Sequence, residues 1–216
     1  MIIMPIISLD SPEVHYLQER DWRLAHLINH IGSMEYAKPE SAFHCLAHSI
    51  IEQMLSMKAA TTIEQRIIAV CNDDLCPSSI LRTSKDELRN CGVSKRKAHY
   101  LHALAEYASN EDLEVLSELT DEDVRLTLMR IPGIGKWTCD MFLLFYLDRS
   151  DVLPIEDGAF RQAFRWLYGA SVDNEDVRRV VCSLWKPYSS IAARYLYRAL
   201  NSGITKSGSA NKLFVV

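Results

Sequence analysis

Two stretches of the chain combine residue types and spacings that can do chemistry. The first is Ile131-Pro132-Gly133-Ile134-Gly135-Lys136. Two glycines one residue apart, set between two helical patterns, permit a tight turn with positive φ. Such a turn brings consecutive backbone N–H groups to the start of the following helix. With the helix dipole, they make a seat for a phosphate, and Lys136 adds a cation at its rim. The same residues also read as a plain interhelical turn, and both readings stay open. The second stretch is Val152-Leu153-Pro154-Ile155-Glu156-Asp157-Gly158. Two adjacent acids follow an apolar, proline-containing approach, and a helical pattern resumes at Ala159-Phe160-Arg161. Asp157 is there either as a helix cap or as a functional carboxylate.

The elements that must position these residues read as helices. Apolar residues recur at three- and four-residue spacing over Ala42–Met57, Thr62–Val70, Lys95–Tyr107 and Val124–Met129. The hairpin itself predicts a short amphipathic helix over Asp121–Arg130 and a mostly apolar one over Lys136–Leu147. Ser84-Lys85-Asp86-Glu87 has the capping-box pattern, and Thr120-Asp121-Glu122-Asp123 has it with Asp in the Glu position. Pro39, Asn72-Asp73-Asp74, Pro77-Ser78-Ser79, Gly92 and Ser109-Asn110 punctuate the pattern. No alternating run is long enough to propose a sheet, so the expected class is all-α. Gly203, Ser207, Gly208 and Ser209 mark residues 203–216 as a tail.

Composition is that of an ordinary globular protein, with 48% hydrophobic and 24% charged residues. No apolar run reaches membrane-spanning length, and the short apolar start Met1–Ile7 lacks a basic flank, so a buried N-terminal segment is expected rather than a signal peptide. The net charge is −4, but Glu106–Asp123 holds eight acidic residues and no basic one, so the remainder carries +4. Basic residues gather at Arg82, Lys85, Arg89, Lys95, Arg96 and Lys97, and again at Arg178, Arg179, Lys186, Arg194 and Arg198. This is either one basic and one acidic surface or a set of solvated helix faces. Cys45, Cys71, Cys76, Cys91, Cys139 and Cys182 show no C-x-x-C spacing and read as buried free thiols, not as a zinc or iron–sulfur site. His44 and His48 have i,i+4 metal-ligand spacing but no evident third ligand, so they read as ordinary histidines.

Ile131-Pro132-Gly133-Ile134-Gly135-Lys136-Trp137-Thr138 followed by Val152–Asp157 resembles the helix-hairpin-helix plus Gly/Pro…Asp signature of DNA repair glycosylases, the HhH-GPD superfamily. Trp137-Thr138 is similar to the 3-methyladenine DNA glycosylase II branch. Three more blocks resemble that branch: Phe43–Ala60, Leu88–Ala98, and Trp185-Lys186-Pro187 through Arg198. The resemblance spans roughly residues 20–200. It implies an all-α, two-lobed helical fold with the active-site cleft between the lobes. One lobe is expected over 36–149, with the hairpin, and the other over 1–35 plus 150–216.

The resemblance also implies residue roles. Asp157 is the catalytic carboxylate. Cleaving an N-glycosidic bond builds positive charge on the deoxyribose, which a carboxylate stabilises while it orients or deprotonates water. Trp137 stands where strand-cutting members carry a Schiff-base lysine, so base removal without lyase chemistry is expected. Trp137, Tyr197 and Met141 form the base pocket, with Trp185 and Tyr188 as weaker candidates. Met54, or else Leu55, is the wedge that fills the gap left by a flipped base. Gly133, Ile134, Gly135, Lys136, Ser94 and Lys97 bind DNA phosphate. No organic cofactor is implied, and the resemblance allows one monovalent cation on the hairpin's backbone carbonyls, which the sequence does not show. The expected partner is double-stranded DNA with a damaged base, engaged by a monomer away from membranes, in the bacterial cytoplasm or a eukaryotic nucleus. Met54 replaces the second Gln of the branch's Gln-Gln-Leu-Ser motif. Gly158, Ser189 and Tyr197 stand where a larger residue, an Arg and a Trp are common. The expected activity is excision of alkylated purines. The rivals are a glycosylase for a neutral deaminated or mismatched base and a non-enzymatic DNA-structure binder. The latter has no need of a carboxylate facing DNA.

Overall fold

A computed structural model of the chain describes residues 4–208 and residue 210. In chain order the elements are β1 (Ile6–Ile7), α1 (Pro12–Arg20), α2 (Trp22–Ile31), β2 (Met34–Glu35), α3 (Ala42–Glu52), α4 (Met57–Val70), α5 (Pro77–Arg82), α6 (Lys85–Asn90) and α7 (Lys95–Asn110). After a 3₁₀ segment at Leu113–Glu118 come α8 (Asp121–Leu128), α9 (Lys136–Met141), a π-helical turn at Phe142–Tyr146, α10 (Gly158–Tyr168), α11 (Glu175–Trp185) and α12 (Ser189–Asn201). The class is all-α, apart from a two-residue antiparallel ladder that the sequence did not predict. It pairs Ile6 with Glu35 and Ile7 with Met34. Two residues are too few to show alternation.

The chain forms two compact units. One runs Pro39–Leu147, and the other joins the chain up to Lys38 with the chain from Asp148 onward. In the Pro39–Leu147 unit α3 is the central helix. Ala42, Phe43, Cys45, Leu46, Ala47, Ile50 and Ile51 are all buried, because α4, α7, α9 and the π-helical turn pack around it. α7 contributes Ala98, Leu101, Leu104 and Ala105 at helical spacing. Ser56, Ser84, Ser94 and Thr120 each cap the helix that follows by accepting a backbone N–H.

The other unit is built on an aromatic core. Phe160, Ala163, Phe164 and Leu167 line one face of α10 and pack with α12 and α2. Trp185 is fully buried against Phe160 and Phe164. Its indole N–H donates to Asp21 Oδ2 at 2.9 Å, and Tyr168 OH donates to the same oxygen at 2.6 Å. Asp21 also caps α2 through Leu24 N–H, so one buried carboxylate serves three donors. Trp185 is therefore core, not a base-stacking surface.

Several boundaries differ from the sequence pattern. The helix expected to run Ala42–Met57 stops at Glu52. Gln53 leaves the helical region at ψ 122°, Met54 takes φ 59°, and Ser56 caps α4. The hydrophobic period carries across the break, which hid it. The apolar helix after the hairpin loses α-geometry at Phe142, and Leu147 N–H reaches back five residues to Phe142 O at 3.0 Å. Of the apolar start, Met1–Ile3 lie outside the described residues. Ile7 is buried, while Met4 and Ile6 are exposed. Of the expected tail, residues 209 and 211–216 lie outside the described residues, but Ile204–Ser207 forms a 3₁₀ turn and Trp166 Nε1 donates to Gly208 O at 2.7 Å.

Candidate active site

In the Pro39–Leu147 unit the site begins with the turn between α8 and α9. Ile131 and Ile134 are buried and pin its base, with Ile134 N–H donating to Ile131 O at 3.1 Å. Gly133 takes φ 90°, and a Cβ there would lie 2.2 Å from Tyr100 Cγ. Tyr100 thus packs where any side chain at 133 would sit. Gly135 does not share that conformation: it is extended at φ −113° and caps α9 with open space around it. One left-handed residue suffices to reverse the chain.

A buried carboxylate missed in the sequence ties the hairpin together. Asp140 Oδ1 accepts Arg125 Nη2 at 2.9 Å and Nε at 3.2 Å, and Oδ2 accepts Lys136 Nζ at 2.6 Å. Arg125 belongs to α8, so this triad clamps the two hairpin helices. The i,i+4 spacing of Lys136 and Asp140 was the available signal. Lys136 is therefore partly neutralised, and the triad as a whole keeps one positive charge. Trp137 is half-buried and Met141 almost fully buried on α9. Two hairpin carbonyls, those of Ile131 and Gly133, already accept N–H donors. Each keeps a second lone pair beside that bond.

The segment between α3 and α4 lies beside this turn. Met54 is fully exposed in its left-handed conformation, and Leu55 is 39% exposed. Gln53 Nε2 donates to Gly133 O at 2.8 Å. Lys97, expected to face DNA phosphate, instead donates to Ile51 O and Gln53 O, both at 2.7 Å. Ser94 is exposed, and its Oγ accepts Lys97 N–H to cap α7. His44 and His48 both reach Glu64, at 3.3 and 2.9 Å.

In the unit that includes Asp148 onward, α12 fixes the approach to Asp157 at both ends. Ser190 Oγ accepts Val152 N–H at 2.9 Å and donates to Arg149 O at 2.5 Å. Ser189, where an Arg was the commoner residue, is buried and donates to Asp151 Oδ1 at 2.5 Å. The chain then turns through Pro154, with Asp157 N–H donating to Pro154 O at 3.0 Å. Asp157 caps α10, and its Oδ1 accepts Phe160 N–H at 2.7 Å. The same oxygen accepts Tyr197 OH at 3.0 Å. The cap and functional readings of Asp157 are thus compatible: the cap bond orients the carboxylate. Tyr197 was expected as a base wall, and its phenol also holds Asp157 from 40 residues away, which no local pattern reveals. Tyr188 packs edge-on against Tyr16. Arg194, counted among surface cations, is buried on Asp148 at 2.7 Å and over the Tyr36 ring.

A glycine hairpin, a Trp after its lysine and a held Asp after a Pro turn are the marks of one protein class. The chain belongs to the HhH-GPD superfamily of base excision DNA repair proteins, whose family model matches residues 47–187. It is similar to the alkylbase DNA glycosidase-like protein mag2 of Schizosaccharomyces pombe, at 29% identity over 85% of this chain and 90% of that one. Among solved structures it resembles a DNA-3-methyladenine glycosidase from Bacillus halodurans with a TM-score of 0.81 and 33% identity, covering 98% of this chain and 99% of that one. It also resembles the S. pombe 3-methyladenine DNA glycosylase Mag1, solved with abasic DNA, at a TM-score of 0.78 and 25% identity over 88% and 97% of the two chains.

Proposed function

We propose that this protein is a monofunctional DNA glycosylase of the 3-methyladenine DNA glycosylase II type. It hydrolyses the N-glycosidic bond of alkylated purines, of the 3-methyladenine and 7-methylguanine class, in duplex DNA, and so initiates base excision repair. The observation that carries this reading is Asp157, a half-buried carboxylate held at Oδ1 by Phe160 N–H and Tyr197 OH. A carboxylate fixed in place stabilises the oxocarbenium-like sugar without reorganising during the reaction. An alkylated purine already carries positive charge and leaves without a strong general acid. Trp137, with Met141 buried on the same helix, offers aromatic surface for an electron-poor ring, and in the other unit Tyr197 is a second aromatic candidate. Met54 enters the stack as the base leaves it. The backbone amides from Gly133 to Lys136, with Ser94 at the start of α7, bind phosphate. Trp137 in place of a lysine leaves no Schiff-base nucleophile at that position, which supports hydrolysis without strand cleavage. The protein acts on DNA as a monomer; among the described residues no helix is long and apolar enough to cross a membrane.

The test is release of 3-methyladenine and 7-methylguanine from alkylated duplex DNA by the wild type and by Asp157→Asn. Release by the wild type and its loss in the variant are expected. Equal release by both would sink the catalytic assignment. Release by neither would favour a neutral-base glycosylase or a non-enzymatic binder. A borohydride-trapped adduct with strand scission would overturn the monofunctional reading.

A further inference from the structure

We infer that Lys97 is an internal strut, acting with Gln53 to preset the Met54 loop for insertion into DNA, and is not a phosphate ligand. The inference rests on the reading of Met54 as the wedge. Met54 is an unbranched apolar side chain fully exposed to water at φ 59°, a conformation rarely held by non-glycine residues. Such a residue keeps its conformation only where its surroundings fix the backbone on both sides. Here they do. The ammonium of Lys97 donates to Ile51 O and Gln53 O, carbonyls that the end of α3 leaves without helical partners. The Gln53 side chain crosses to Gly133 O, so the loop is tied to the hairpin turn. Beyond Met54, Leu55 N–H returns to Glu52 O at 2.8 Å. Burial lowers the Lys97 pKa below the ordinary lysine value, in keeping with an ammonium turned inward. A preset loop lowers the ordering cost of inserting Met54 when the base flips.

The experiment compares the wild type with Lys97→Met, which keeps the stem and removes the donors. Hydrogen exchange is expected to quicken at the amides of residues 53–57 and to stay unchanged in α8 and α12. Single-turnover release of 7-methylguanine from paired duplex should fall about tenfold, the scale of losing charge-assisted hydrogen bonds. That loss should shrink to about twofold when the damaged base lies opposite an abasic site, where flipping is already cheap. Combined with Met54→Ala, Lys97→Met should add nothing further. The slope of log Kd for duplex against log salt should not change. A slope reduced by about 0.9 means a lost phosphate contact and overturns the proposal. So does unchanged exchange at residues 53–57. If the wild type releases no alkylated base, the functional reading fails, while exchange and salt slope still decide the strut. Should Lys97→Met not fold, Lys97→Gln, with a shorter amide donor, is read by the same measurements.

Discussion

Oδ1 of Asp157 accepts both the N–H that starts α10 and the phenol of Tyr197, and these two bonds can be separated by mutation. Asn caps a helix about as well as Asp. Asp157→Asn should therefore leave stability within about 0.5 kcal/mol while excision falls on the order of 10²–10³. Thermal melting beside single-turnover excision checks this, and a large loss of Tm would mean that the cap dominates. Tyr197→Phe keeps the ring and removes the hydrogen bond. It should lower kcat about tenfold with little change in KM, because the bond orients the carboxylate and does not bind substrate. A rise in KM with kcat preserved would instead assign the phenol OH to substrate binding.

At the scale of elements, the α8–α9 hairpin depends on two contacts that differ in kind. The Asp140 triad draws the helices together through charge, and Gly133 lets the turn pass under Tyr100. Gly133→Ala meets both a disfavoured φ and the Tyr100 ring at 2.2 Å. The expected cost is about 3 kcal/mol, or roughly 6–12 °C in Tm for a chain of this size, with weakened duplex binding. Gly135→Ala, at an extended residue with nothing near its Cβ, should cost far less. Equal effects at the two glycines would show that the turn has another backbone requirement. The loop between α3 and α4 has the opposite character: its exposed Met54 is held in place by neighbours, not by its own packing.

For the whole molecule, the pH dependence of stability is set in part where α3 meets α4. The hydrogen bond from His48 to Glu64 raises the His48 pKa above its ordinary 6.5 against the effect of burial. Burial would raise Glu64, but hydrogen bonds from His44 and His48 outweigh it and bring the carboxyl to about 2. A raised histidine stabilises below 6.5 and loses that contribution as pH climbs through its folded value. A depressed carboxyl stabilises above its ordinary 4.5 and loses it as pH falls toward 2. The pair thus stabilises most between pH 4.5 and 6.5. The Tm difference between wild type and His48→Gln should peak in that window and narrow toward pH 8. A difference that is flat from pH 4 to 9 would remove the pair from the account. Burial raises four thiols as well, Cys45 to about 12, Cys139 and Cys182 to about 11, and Cys91 above its ordinary value, so these cysteines serve packing rather than reactivity.

The sequence by itself determined the helical class, the hairpin, the Trp137 position and the candidacy of Asp157. These depend on local period, on glycine at one turn and on a short ordered run of residue types. It did not reveal the helix break at Gln53, since the apolar spacing continues into Met57 and the left-handed Met54 has no compositional mark. It did not reveal that Lys97 turns inward, because a lysine near a helix start looks the same whether it meets solvent or carbonyls. Nor did it separate the two glycines of the hairpin, which only the Tyr100 contact and the backbone φ distinguish. Tertiary structure decided which oxygen of Asp157 is held and by whom. A hydrogen bond between residues 40 positions apart exists only once α10 and α12 have packed.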